Sequence, residues 1–228
     1  MSNGLVPVPP DRLLYRVGRT PNAWAWPDWR FLGPDGTFGN RWDDPDGIYR
    51  VLYACSQRVG AFVETLARFR PDLEVVAGLL EIDGSDDGSP PGAVPRSWLD
   101  TRACGEATVE GVFADVGEAR SLTVLRIALA VRALYYGLAD LDGATIRVSA
   151  PRRFTQEISR FVYESDDAGK RFTGIRYLSR LGNQFVNWAI FEPPPDIDSP
   201  LQTMSSDAIQ AEDPDLAEAG RILDIEFR

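Results

Sequence analysis

Histidine is absent from this 228-residue chain, and lysine occurs once, at Lys170. Those two facts remove whole classes of chemistry. A Ser-His-Asp or Cys-His site has no base, and a metal site built on imidazole has no ligand. Schiff-base chemistry would have to use Lys170, whose surroundings, SDDAGKRF, lack the spaced glycines of a phosphate loop. Every other basic residue is arginine. Its planar fork of donors suits phosphate and carboxylate, although coding bias toward Arg, Ala, Gly and Pro gives the same composition, and both explanations can hold. Three polar positions interrupt apolar structure: Glu64 beside Val63, Ser179 at the end of GIRYLS, and Arg41 after the glycine-bearing GTFGN. Each also has a plain structural reading, as a solvated helix carboxylate, a strand-end hydroxyl and a surface arginine. Periodicity alone does not make them a site. The two cysteines, Cys55 and Cys104, do not make a disulfide framework and read as buried free thiols.

The elements that must position these residues are mixed. LLYRVG (13–18) reads as a short strand, and 19–47, rich in Pro, Gly, Asp and Trp, as a long ordered loop with Trp24, Trp26 and Trp29 packed beneath it. IYRVLYAC (48–55) is β-rich. SQRVGAFVETLARF (56–69) reads as a helix with Ser56 as N-cap and an apolar stripe of Val59, Phe62, Val63, Leu66 and Phe69, ended by Arg70-Pro71. The pattern predicts a strand over 72–83, a surface loop over 84–93, a helix over 121–138 and a short strand over 145–150. It further predicts a helix over 151–165 that opens on proline, strands over 174–180 and 187–192, a linker over 193–200, and a helix then a terminal strand over 213–227. Residues 94–117 are ambiguous. Strands and helices mix without regular βαβ alternation, so the fold class expected is α+β.

Composition bounds the partners. The net charge of −10 argues against direct nucleic-acid binding, which needs a basic footprint. The excess is not uniform. From Asp196 to Arg228 nine acids face two arginines, a net of −7, which leaves −3 on the preceding residues. The body of the chain has room for a basic pocket. No run of eighteen apolar residues exists, so no membrane helix is expected, and the N-terminus does not read as a signal peptide. A cytoplasmic protein is the expectation.

An ordered series of short motifs carries more information than any one residue. FGNRWDDPDGIYRVLYACSQRVGAFVETLARF is similar to the RES-domain pattern: Gly-x-Arg-Trp, a Pro/Gly turn, a strand ending in Tyr, then a helix with Glu eleven residues beyond that Tyr. Here these are Arg41, Trp42, Tyr53 and Glu64. RRFTQEIS followed by GIRYLSR resembles the family's Thr-Gln helix start and its Gly-Ile-x-Tyr-x-Ser-Arg strand, which supplies Ser179. LLYRV resembles its opening strand, with Arg16 in place. The resemblance spans residues 13–192. It divides the chain into an N-terminal arm (1–12), a RES catalytic domain (13–192) with an expected insertion at 84–120, and an acidic C-terminal extension (193–228). The segment from Arg41 to Tyr53 runs slightly longer than the common form.

RES domains are toxins of bacterial toxin–antitoxin pairs with a fold similar to ADP-ribosyltransferases, so the resemblance implies a mixed sheet core flanked by helices. It implies NAD+ as substrate, cleavage of the nicotinamide–ribose bond by phosphorolysis or hydrolysis, and restraint by an Xre-type helix-turn-helix antitoxin. Transfer of ADP-ribose to a protein is the alternative activity, and a non-enzymatic binding module a third. By resemblance, Glu64 is the catalytic carboxylate, Arg41 and secondarily Arg16 hold phosphate, Tyr53 stacks on or orients nicotinamide, and Ser179 bonds the ribose or nearby phosphate. Phosphorolysis would want a further anion site, for which Arg152, Arg153 and Arg180 are available. Such a reaction needs neither histidine nor metal. Family members often form dimers and larger assemblies with their antitoxins, so a homo-oligomer is possible.

Overall fold

The computed structural model describes residues 4–83, 92–148 and 151–228. The strands are β1 (Pro7–Val8), β2 (Leu14–Arg19), β3 (Val51–Cys55), β4 (Gly92–Val94), β5 (Arg102–Val109), β6 (Phe113–Asp115), β7 (Asp166–Asp167), β8 (Lys170–Arg171), β9 (Gly174–Leu178), β10 (Val186–Phe191), β11 (Leu201–Ala208) and β12 (Ile225–Phe227). The helices are α1 (Arg58–Leu66), α2 (Leu73–Asp83), α3 (Ser97–Asp100), α4 (Ala119–Ala128), α5 (Ala130–Tyr135), α6 (Gly143–Val148), α7 (Arg152–Tyr163) and α8 (Pro214–Leu223). Eight strands form one sheet in the order β1-β6-β9-β10-β3-β2-β5-β11, antiparallel except for the β6–β9 pair. The class is α+β. Among the described residues no helix is long and apolar enough to cross a membrane.

The period-two alternation of β3 and β10 sorts the core. Val51, Ala189 and Phe191 face a cluster built with the helices α4 to α7, including Leu125, Ile146, Phe154 and Ile158. Leu52, Ala54, Trp188 and Ile190 face the opposite cluster with Leu14, Trp24, Ala107 and Phe113. A third cluster unites α1 and α8, through Phe62, Val63, Leu66, Leu216 and Leu223. Phe62, Val63 and Leu66 are fully buried, each contributing about 1.5–3 kcal/mol. The helix lies close to β3 because Gly60 offers no Cβ: one added there would sit 2.4 Å from the Cys55 sulfur.

One seam of the sheet is nearly unzipped. β2 pairs along its whole length with β5, and β3 along its whole length with β10, yet β2 and β3 share a single register pair, Tyr15 with Cys55. Arg16 spans the gap. Its Nε donates to the Ala23 carbonyl at 2.8 Å and its Nη1 to the Tyr53 carbonyl at 2.7 Å. This divergence makes a cleft with backbone on both sides, and it positions the site.

Several elements differ from the sequence-based expectation. Residues 72–83, expected as a strand, form α2 from Leu73, because the Asp72 carboxylate accepts the Glu74 amide at 2.8 Å and starts a helix from a β-branched run. TIRVSA, also expected as a strand, lies in α6 as far as Val148. Asp142 caps it by accepting the Thr145 amide at 2.9 Å, while 149–150 lie outside the described residues. The helix expected at 121–138 is two, α4 and α5, broken at Leu129. Ser56 does not cap α1: its hydroxyl accepts the Trp188 indole N–H at 2.8 Å, and Gln57 occupies the cap position. Of the loop tryptophans Trp24 is buried, while Trp29 is 37% exposed and lies against the Arg50 guanidinium.

The stretch 84–120, read as an insertion, supplies β5 and β6 of the main sheet, with 84–91 outside the described residues. The residues after 193, read as an extension, supply the edge strand β11 and helix α8, and Arg58 of α1 is clasped by Asp213 and Asp215 at 2.5 and 2.8 Å. Two of the tail's acids thus take part in holding the fold together. The N-terminal arm adds β1 beside β6.

Candidate active site

A cavity of about 600 Å³ opens where β2 and β3 diverge. Arg16, Arg41, Tyr53 and Glu64 all line it, coming from β2, the loop before β3, β3 itself and α1. Arg68, Arg152 and Arg180 line it too, so five guanidinium groups face one carboxylate. On a chain of net charge −10 this is a local inversion of sign, suited to an anionic ligand.

Arg41 is held by its loop rather than by a carboxylate. The loop is tied to α7 at several points: Gln156 Nε2 donates to the Asn40 carbonyl at 3.0 Å, Ser159 Oγ donates to the Trp42 carbonyl at 2.6 Å, and Arg160 pairs with buried Asp44 at 3.0 Å. Arg152 Nη1 also donates to the Gly39 carbonyl. From this anchored loop Arg41 Nη2 donates to the Arg147 carbonyl at 2.9 Å, and the guanidinium lies over the Tyr177 ring at 5.4 Å. Its Nη1 is buried and has no hydrogen-bond partner among the described residues. Burial pulls the Arg41 pKa down, partly countered by Tyr177 and Glu64. A buried donor without an acceptor costs about 1–3 kcal/mol, more when charged, so this nitrogen is poised to take an anion.

Tyr53, expected to stack on or orient nicotinamide, lines the cavity with its ring while its hydroxyl is engaged elsewhere. Its hydroxyl accepts the Trp42 amide N–H at 2.9 Å and donates to Asp43 at 3.1 Å. Asp43, 2% exposed, also accepts the Asn40 amide at 2.6 Å, and burial raises its pKa. Tyr53 therefore braces the Arg41 loop and offers the cavity only its ring. Arg16, gripped by two backbone carbonyls, has its pKa lowered to about 10 by burial.

Glu64 is exposed on α1 and reaches the cavity from its side wall. Its Oε1 accepts from Asn187 Nδ2 at 2.7 Å. Ser179 is 1% exposed and does not line the cavity; its Oγ accepts the Leu181 N–H at 2.9 Å and so fixes the turn that carries Arg180. Of the other arginines, Arg153 stands 3.9 Å from Asp46 and does not line the cavity. Lining residues that the sequence reading did not single out include Arg68, Asn187 and Tyr177. An asparagine inside the apolar run FVNWAIF was the available signal for the second. Cys55 also lines the cavity, its thiol pushed up to about 12 by burial. Among the described residues no group of three His, Cys, Asp or Glu is arranged to hold a metal ion.

Comparison with known proteins follows the same residues. The family model of the RES domain matches residues 13–210, which include every cavity residue described above. The chain belongs to the RES-domain family. The match runs beyond Glu192 to take in β11, in keeping with that strand's place in the sheet. Among solved structures, a chain in the crystal structure of the M. tuberculosis MbcT–MbcA toxin–antitoxin complex is similar over 96% of this chain and 92% of its own, at 14% identity and a TM-score of 0.46. No curated protein matches by sequence. Within the RES pattern, the Thr-Gln helix start has a clear structural use here: Thr155, Gln156 and Ser159 are buried, and the last two bind the Arg41 loop.

Proposed function

We propose that this RES-domain protein cleaves the nicotinamide–ribose bond of NAD+ and acts as a growth-inhibiting toxin in the cytoplasm until an Xre-type helix-turn-helix antitoxin binds it. The observation that carries the reading is the buried Arg41 Nη1, without a partner among the described residues, at the wall of a cavity with five arginines and one carboxylate. A dinucleotide diphosphate matches that demand, and its other end carries a cation that suits a carboxylate.

The chemistry requires little of the protein. The C1′–N bond breaks with its electron pair going to the pyridinium nitrogen, so neutral nicotinamide leaves without a general acid. Positive charge builds on the ribose carbon, as in glycoside cleavage. Glu64 supplies the fixed negative charge beside it. Arg41, with Arg16 secondarily, holds the diphosphate through charge-assisted hydrogen bonds. Tyr53 and Ser179 act through what they brace: the Arg41 loop and the Arg180 turn. The acceptor completes the balance. Water gives ADP-ribose and a proton; inorganic phosphate, received by Arg152 or Arg180, gives ADP-ribose-1″-phosphate; a protein side chain gives an ADP-ribosylated target.

Incubation of the purified protein with NAD+, with and without phosphate, separates these outcomes by product, and labelled NAD+ added to a bacterial extract reports protein modification. We expect loss of NAD+ with ADP-ribose or its 1″-phosphate as product. Intact NAD+ in every arm, from folded protein, would contradict the reading. On expression, Glu64→Gln is expected to restore both growth and cellular NAD+; toxicity undiminished by that change would point to a binding module.

A further inference from the structure

We infer that Asn187 is a positioning residue for Glu64, fixing the carboxylate by one oxygen while leaving its charge intact. The inference rests on the proposed cleavage reaction. Asn187 stands on β10, opposite Cys55 of β3 and Tyr177 of β9, in a strand otherwise filled by Trp188, Ala189, Ile190 and Phe191. An amide only 2% exposed in such a strand is costly unless bonded. Its Nδ2 meets Glu64 Oε1 at 2.7 Å, across 123 residues of sequence. Among the described residues this amide makes the one hydrogen bond to that carboxylate.

The choice of side chain matters. Glu64 is exposed on its helix, and a free glutamate samples many rotamers. An arginine or lysine at 187 would hold it but cancel the charge that the ribose carbon needs. A neutral amide holds Oε1 and leaves Oε2 and the full charge to the substrate. Reach and angle are then set by the register of β10 between β3 and β9. The groups around this pair are Cys55 from β3, Tyr177 from β9, Arg16 from β2, Arg41, Arg180, and Arg68 beyond α1. Burial pushes the Cys55 and Tyr177 groups up, so both stay neutral in the assay range, and it pulls the buried Arg16 and Arg41 guanidinium groups down.

The test uses Asn187→Ala and the isosteric Asn187→Asp in the full chain, with nicotinamide release as the rate and thermal unfolding as the check on folding. Asn187→Ala is expected to lower kcat roughly 100-fold, the usual scale for a displaced reacting group, with KM within about twofold because the diphosphate contacts remain. Asn187→Asp adds a readout that a merely structural role would not move. Two carboxylates in contact share a proton. The protonated partner donates to Glu64 as the amide does, and the doubly ionised pair repels. Its kcat should therefore approach wild type at the acid end of the profile, where the pair keeps its shared proton, and fall to the alanine level as that proton is lost, while wild type shows no such fall. If Asn187→Ala does not fold, the aspartate profile decides alone. A flat Asn187→Asp profile, or an alanine variant that raises KM and spares kcat, overturns the inference. Wild-type protein that releases no nicotinamide would instead overturn the proposed reaction, so the two failures are distinguishable.

Discussion

Replacing Arg41 by methionine keeps an unbranched apolar stem and removes the guanidinium with its charge and its donors. In the free protein, Nη1 is buried without an acceptor among the described residues, a cost of about 1–3 kcal/mol that the substitution relieves. Against that stands the Nη2 bond to the Arg147 carbonyl at 2.9 Å, worth about 1 kcal/mol. These nearly offset, so the unfolding free energy should change by less than about 2 kcal/mol in either direction. Substrate binding should suffer far more. A hydrogen bond to a charged group contributes about 1.5–3 kcal/mol, which is roughly 10- to 150-fold in KM for NAD+. Arg41→Met should thus separate function from stability: a midpoint in denaturant close to wild type, and a KM raised by one to two orders of magnitude (about 10- to 100-fold). Titrating initial rates of nicotinamide release, beside urea unfolding of the same samples, measures both. A variant that loses several kcal/mol of stability with KM unchanged would refute the reasoning and make Arg41 a structural residue.

Three further outcomes follow from the same geometry. Tyr53→Phe removes the hydroxyl between the Trp42 amide and buried Asp43, so it should lower stability by about 1–3 kcal/mol and raise KM; a stacking role alone predicts no stability loss in urea unfolding. Ser179→Ala removes the acceptor for the Leu181 N–H and should cost about 1 kcal/mol in the same measurement, whereas direct ribose binding predicts impaired kinetics at unchanged stability. The Cys55 and Cys104 thiols, pushed up to about 12 and about 11 by burial, are neutral near pH 8, because a raised thiol pKa withholds the reactive thiolate. Neither should react with a thiol reagent in the folded protein, and both should react in guanidinium chloride.

The sequence made the α+β class and the strongly periodic elements legible, because burial imposes a pattern on them: α7, β3, β9 and β10 stand close to where alternation and stripes placed them. It misread α2 and α6, where a capping aspartate outweighs a β-branched run. It passed over β11, whose residues are largely exposed at the sheet edge and carry no apolar period. Among the candidate residues, the resemblance placed Arg16, Arg41, Tyr53 and Glu64, and all four meet at one cavity. What they do there was not readable, since it depends on the partners of particular atoms. The Tyr53 hydroxyl and the Ser179 oxygen are spent on backbone N–H groups, and the Arg41 Nη1 has no partner among the described residues. Asn187 was hidden for the same reason: only the sheet register brings it under the helix that carries Glu64.

The central claim is that the Glu64 carboxylate in this arginine-lined cavity drives cleavage of the nicotinamide–ribose bond. The most direct test is the rate of nicotinamide release from saturating NAD+ by wild type and by Glu64→Gln. The glutamine keeps the size of the side chain and removes its charge, and because Glu64 is exposed on α1 the two proteins should unfold alike, within about 0.5 kcal/mol. The account predicts release by wild type and a rate slower by roughly 100- to 1,000-fold in the variant, the scale of losing one preorganised electrostatic contact. Equal rates in the two proteins, or no release by either, would contradict it.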